Sequence, residues 1–258
     1  MTATPRVRVL VTRPKAQAAV WVERLRDRGI DAEALPLIEI VPIADAAPVH
    51  AAWRAIRAFR LVVFVSANAV EQFFAARPPD AVWPAGVDAG APGPGTAEAL
   101  RAAGCRDAVI VSPSEAATQF DSEALWERLQ ARDWHGTRVL VVRGEGGREW
   151  LVDRFVDAGA RVETVAAYRR VPPSFIGAER ERLEAAAAAS DETVWLFSSS
   201  EAIANLVRAA GSGRWRNARA IATHPRIAAR ARILGFGHVV EVSAGVDAVV
   251  ACIQSNRP

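Results

Sequence analysis

The chain has 258 residues, 51% hydrophobic and 24% charged, the make-up of an ordinary globular protein long enough to bury a core without staples. The formal net charge of +3 excludes a strong electrostatic case for nucleic acid, and the arginines (every basic residue but Lys15) are scattered, not interleaved with aromatics as a nucleic-acid groove requires. Cys105 and Cys252 lie far apart and the four histidines are dispersed, which excludes a disulfide framework and gives no metal-ligand spacing.

The N-terminus lacks the apolar run of a signal peptide, and no segment approaches the ~20 apolar residues of a membrane span, so a cytoplasmic chain with reduced thiols and no membrane contact is expected. A short apolar strand over 7–11 is broken by Thr12-Arg13-Pro14. A helix over 16–28 follows, with Trp21 and Leu25 on its apolar side, and Gly29 stops it. Residues 32–40 read as extended, and Pro36 and Pro42 keep helix out. A helix is predicted over 49–57, an apolar strand over 61–65, and a helix opened by Ser66-Ala67-Asn68 that runs to 75. A strand over 87–89, a glycine- and proline-rich turn over 90–95, a helix over 96–103 and a strand over 108–111 complete this half.

A helix over 119–132 leads into a second round. A strand over 139–142, a loop over 144–147 and a helix over 148–158 are followed by an extended segment over 162–171. Helix 179–189, strand 194–197, a helix opened by Ser198-Ser199-Ser200, strand 220–223, helix 226–234, strand 239–242 and helix 246–254 finish the chain.

The second round repeats the first. RVLVTRPKAQ from residue 8 aligns without a gap on RVLVVRGEGG at an offset of 130, placing Arg13 on Arg143, Gly29 on Gly159 and Pro42 on Pro172. FVSANAVEQF aligns on FSSSEAIANL at an offset of 133, and TAEALRAAG on IAARARILG at 131. A whole-length duplication of alternating strands and helices implies two parallel sheets, each covered by helices on both faces, with ligands outside the carboxyl ends of the strands. Several strand ends carry small polar turns that open helices, where free backbone N–H groups and the helix dipole favour anions. They are Ser66-Ala67-Asn68, Gly95-Thr96, Gly144, Ser198-Ser199-Ser200-Glu201 and Thr223-His224. Helix capping is the structural alternative for the serines, and a solvent-exposed loop histidine for His224.

The ordered set VLVTRP, PLIEIVP, FVSANAV, GPGTAEALRAAG, VRGEGGRE, VAAYRRVP and FSSSEAI resembles the uroporphyrinogen-III synthase family. No one motif is specific; their order over nearly the whole chain is. The resemblance implies an α/β fold of two doubly wound, flavodoxin-like parallel-sheet domains, an internal duplication with segment swap, joined by a two-stranded connector. Residues 1–36 plus 173–258 would form one domain and 43–166 the other, with 37–42 and 167–172 as connector strands.

It also implies closure of hydroxymethylbilane, a linear tetrapyrrole, to uroporphyrinogen III, with inversion of the terminal pyrrole ring, loss of water, and no cofactor or metal. The expected partner is therefore this substrate alone, and the expected state a monomer. Tyr168, the sole tyrosine, matches the family's recurrent tyrosine and would protonate the departing hydroxyl or orient a water that does so. The strand-end turns and the equivalent arginines Arg13 and Arg143 would bind substrate carboxylates; a structural salt bridge is the alternative for each arginine. Thr96 matches a recurrent threonine, whereas its second-half equivalent is Ile227, so Thr223 or His224 would have to supply that donor.

Two other readings compete: a non-catalytic two-domain anion-binding or sensor protein, and a nucleotide-dependent α/β enzyme. The latter is disfavoured because neither GxGxxG nor GxxxxGK[ST] is present.

Overall fold

A computed structural model describes residues 7–114, 120–189 and 192–255. The first residue of the helix predicted over 119–132, Gln119, and the outermost residues of the predicted 1–36 and 173–258 segments lie outside the described residues. The chain divides into two compact units, Met1–Glu39 with Val171–Pro258, and Ile40–Arg170.

The first unit holds β1 (Arg8–Val11), α1 (Lys15–Arg26) and β2 (Ala32–Ala34). The second takes in most of β3 (Glu39–Pro42), then α2 (Ala47–Arg54), β4 (Leu61–Phe64), α3 (Ala67–Ala75), β5 (Asp88–Gly90), α4 (Pro94–Ala102), β6 (Ile110–Val111) and α5 (Ser122–Leu129). It continues with β7 (Arg138–Gly144), α6 (Trp150–Asp157) and β8 (Arg161–Val171), whose last residue passes back to the first unit. There follow α7 (Ala178–Ala188), β9 (Thr193–Phe197), α8 (Ser200–Ala210), β10 (Arg219–Ala222), α9 (Pro225–Ile233), β11 (His238–Glu241) and α10 (Val246–Ser255).

Sheet order shows both the duplication and the swap. The first unit's sheet runs β11-β10-β9-β1-β2, and the second's β3-β8-β7-β4-β5-β6. Read from β2, the first is the doubly wound order 2-1-3-4-5; the second repeats it from β8, with β3 added at the edge. The strand–helix–strand segment that opens the chain thus completes a sheet made of second-half strands. Its repeat, β7–α6–β8, completes the sheet of β4, β5 and β6. These pairings are parallel, so the carboxyl ends of β1, β9 and β10 share one edge, and those of β4, β5 and β7 share another.

Each central strand is buried on both faces and reads as a continuous apolar run, LVVF in β4 and TVWLF in β9. In the second unit, Val62, Phe64, Leu140 and Val142 pack under Trp53, Val70, Phe73 and Leu100. On the other face, Leu61, Val63, Val139 and Val141 meet Leu125, Leu129, Leu151 and Phe155. In the first unit, Val9, Val11, Val194 and Leu196 pack against Val22, Leu25, Val249 and Ile253. Gly29 and Gly159 end α1 and α6 with φ of 73° and 85°, the left-handed stop expected of both.

Several local expectations change, among them the following. Residues 107–109 form a 3₁₀ turn, leaving only Ile110–Val111 as strand. The helix predicted over 119–132 occupies Ser122–Leu129, because Asp121 accepts the Ala124 N–H at 3.0 Å and sets its start. The loop predicted from 144 begins one residue later, because Gly144 belongs to β7.

Candidate active site

At the carboxyl edge of the second sheet, the turn after β4 holds Ser66, whose extended backbone lets its Oγ accept the Ala69 N–H at 3.2 Å and cap α3. On the neighbouring strand, β7 runs one residue past Arg143. The β7–β8 register shifts there, from Arg143 opposite Ala166 to Gly144 opposite Tyr168. The missing side chain of Gly144 makes room for the tyrosine: a Cβ would lie 3.0 Å from the ring atoms Cε2 and Cζ.

Tyr168 is fully buried. Its hydroxyl lies 3.0 Å from Ser66 Oγ and accepts from Arg170 Nη2 at 2.9 Å. Its backbone carbonyl accepts from the Glu145 N–H at 2.9 Å. Gly144 is therefore not the helix-opening turn the sequence suggested; it is a seat for the tyrosine ring. Sequence reasoning missed Arg170, although residues two apart on a strand share a face.

The two equivalent strand-end arginines differ. Arg143 pairs with Glu149 at 2.6 Å, the structural salt bridge weighed above. Arg13 has no such pair among the described residues. Its guanidinium lies over the Trp21 ring, 4.2 Å from the centroid, and its Nε is buried with no hydrogen-bond partner. Burial pushes the guanidinium down to about 10, because its charge loses water. An acidic ligand group would restore that stabilisation.

The remaining candidates occupy helix starts. Ala67 and Asn68 open α3, and Asn68 is buried. Gly93 caps α4, which starts two residues before the predicted 96, so Gly95 and Thr96 lie in its first turn. A Cβ at Gly95 would meet nothing within 4 Å, whereas Thr96 is buried.

In the first unit Ser199 caps α8 by accepting the Glu201 N–H at 3.2 Å, while Ser198, Ser200 and Glu201 are half-buried around that start. Thr223 is buried and donates its N–H to the Phe197 carbonyl at 3.1 Å. His224 is not the exposed loop residue of the simpler reading: it is half-buried, and its Nδ1 accepts the Arg226 N–H at 3.1 Å to cap α9. Ile227, the counterpart of Thr96, is buried in the first turn of α9 and brings no hydroxyl there. The helix starts of each unit can offer N–H donors to anionic groups, and the second unit holds a hydroxyl pair able to move a proton.

Among the described residues no group of three or more His, Cys, Asp and Glu is placed to hold a metal, and no helix is long and apolar enough to cross a membrane. Burial pushes the Cys105 thiol up to about 12, which removes it as a nucleophile.

The family described as uroporphyrinogen-III synthase HemD matches residues 19–251. The uroporphyrinogen-III synthase of Escherichia coli K12 is 32% identical over 174 residues, 66% of this chain and 68% of that protein. That of Salmonella typhimurium is 31% identical over 172 residues, again 66% and 68%. A crystal structure of uroporphyrinogen-III synthetase from Helicobacter pylori 26695 aligns with a TM-score of 0.61 at 13% identity, covering 97% of this chain and 100% of that one. A mutant uroporphyrinogen III synthase from the extremely thermophilic bacterium Thermus thermophilus aligns with a TM-score of 0.59 at 16% identity, covering 96% and 98%.

Proposed function

The chain belongs to the uroporphyrinogen-III synthase family, and we propose that it closes hydroxymethylbilane to uroporphyrinogen III, inverting the terminal pyrrole ring and releasing water. It is a lyase-type cyclase of haem biosynthesis. The observation that carries this reading is the family match over residues 19–251, which spans both units. Nothing in the comparisons supports a non-catalytic sensor.

The chemistry asks two things of the protein. A flexible polyanion must be folded until its ends meet at one carbon; ideal intramolecular orientation contributes up to ~7–11 kcal/mol. The terminal hydroxyl must also leave, which requires a proton. For the first, we assign carboxylate binding to Arg13 and to the helix starts at Ser66-Ala67-Asn68, Gly95-Thr96, Ser198-Ser199-Ser200-Glu201 and Thr223-His224. Arg143, already paired with Glu149, shapes its strand end. For the second, we assign the proton to the hydroxyl pair Tyr168–Ser66, 3.0 Å apart. Loss of water leaves an electrophilic azafulvene. The substituted carbon of the last pyrrole attacks it, and the resulting spiro centre breaks and recloses inverted.

We assign segments 37–42 and 167–172 as the connectors between domains 1–36 plus 173–258 and 43–166. We also place the protein in the cytoplasm as a monomer working without cofactor or nucleic acid. That Cys105 and Cys252 are not joined in a disulfide supports the compartment. Several arginines pair with surface carboxylates, among them Arg101–Asp107 and Arg138–Glu163. The test is turnover of enzymatically generated hydroxymethylbilane in the presence of a chelator. Catalysed release of the type III isomer is expected; catalysis that requires an added metal or organic cofactor would overturn the cofactor-free mechanism.

A further inference from the structure

The polarity of the hydrogen bonds around Tyr168 is fixed by chemistry. Arg170 has only N–H groups to offer, so the phenol oxygen accepts from it, at 2.9 Å. The phenol is fully buried, and its one other side-chain partner among the described residues is Ser66 Oγ, 3.0 Å away. A buried O–H left without an acceptor is costly, so the phenol donates its proton to Ser66. Ser66 Oγ also accepts the Ala69 N–H at 3.2 Å. Both serine lone pairs are then in use, and its own O–H is the one group of this relay still to be spent. Ser66 is only half-buried, unlike the tyrosine behind it.

We infer that Ser66 is the residue that hands a proton to the substrate, and that Tyr168 and Arg170 are positioning residues acting through it. This rests on the synthase reading above. When the carbon–oxygen bond of the terminal hydroxymethyl group breaks, its electron pair leaves with the oxygen, which takes the Ser66 proton and departs as water. The Tyr168 proton moves to Ser66 Oγ, and the phenolate faces the Arg170 guanidinium. The proton released when the attacking pyrrole regains aromaticity returns along the same path, leaving no net change in the protein. Gly144 admits the ring, and the register shift in β8 brings its hydroxyl within reach of Ser66.

The experiment is a double-mutant cycle on the rate of type III isomer formation, with Ser66→Gly, Tyr168→Phe and the pair. Glycine retains most of the N-cap preference, so α3 is kept; thermal melts confirm that each variant is folded. Ser66→Gly is expected to lower kcat at least tenfold with KM within twofold. Tyr168→Phe should cost less, and the double variant should match Ser66→Gly within twofold. Ser66→Thr, which keeps the hydroxyl, should recover most of the rate.

Arg170→Met should slow the wild type severalfold yet change the Tyr168→Phe background by less than twofold. A double variant that loses the product of the two single effects would show that Tyr168 reaches substrate by itself, and would overturn the inference. So would full activity in Ser66→Gly. A wild-type protein that forms no type III isomer would instead overturn the synthase reading, which separates the two failures.

Discussion

Arg13, which we propose binds a substrate carboxylate, is held in the free protein without a charged partner among the described residues. Its guanidinium rests on Trp21 with Nε buried, and no carboxylate pairs with it among the described residues. Since burial lowers its pKa to about 10, the folded chain binds fewer protons than the unfolded one from about pH 10 up to the ordinary arginine value. The sign follows: its unfavourable contribution is full at neutral pH and fades as pH rises through that window. Arg13→Met should therefore leave the protein equally stable or more stable by up to ~1 kcal/mol, the lost cation–π contact offsetting part of the gain. The same variant should raise KM about tenfold through loss of a charge-assisted contact. Urea melts and steady-state kinetics check both, and a large loss of stability would show that the arginine serves the fold.

Gly144→Ala acts within the second unit. Its methyl would press on the Tyr168 ring from 3.0 Å; turnover should fall at least as far as in Tyr168→Phe, with ~1–3 kcal/mol of stability lost to overpacking. Assay and denaturant titration of one preparation report both. The sequence marked Tyr168 and Ser66 separately. It did not join them, because the contact depends on a β7–β8 register shift that leaves no local signature in either segment.

At the level of elements, apolar periodicity and caps made nearly every helix and strand legible. The misses have physical causes. Gly144 sits before a glycine-rich loop and reads as part of it, yet β8 pairs with it and keeps it in the strand. Residues 108–111 are apolar enough for a strand, but the Val109 N–H bonds back to the Arg106 carbonyl at 3.1 Å, and the chain turns before Ile110. Long-range ties were invisible for the same reason. Asn205 on α8 is buried and donates from Nδ2 to the Leu37 carbonyl at 2.8 Å, across 168 residues of sequence. Asn205→Ala leaves that buried carbonyl unsatisfied and should cost ~1–3 kcal/mol. Differential scanning calorimetry checks it; an unchanged melting temperature would show that another donor replaces the amide.

At the scale of the whole molecule, the repeat in sequence is not the unit that packs. The first half carries β1 without its partner β9, and β4 without its partner β7. Residues 1–135 expressed alone should therefore show no cooperative thermal transition. Residues 40–170, which keep β7 and β8 beside β4 and both cores of that sheet, should fold. Circular dichroism melts of the two fragments decide this, and a cooperative first half would contradict the swap.

The duplication was legible from the offsets alone; the exchange of segments came from the resemblance, since a repeat does not say which copy pairs with which. The central claim concerns the reaction, and isomer composition tests it most directly. Freshly generated hydroxymethylbilane closes spontaneously to the type I isomer, so products are oxidised and separated at increasing protein concentration. The account predicts that type III displaces type I until it is nearly the sole product. Type I alone at every concentration would contradict it.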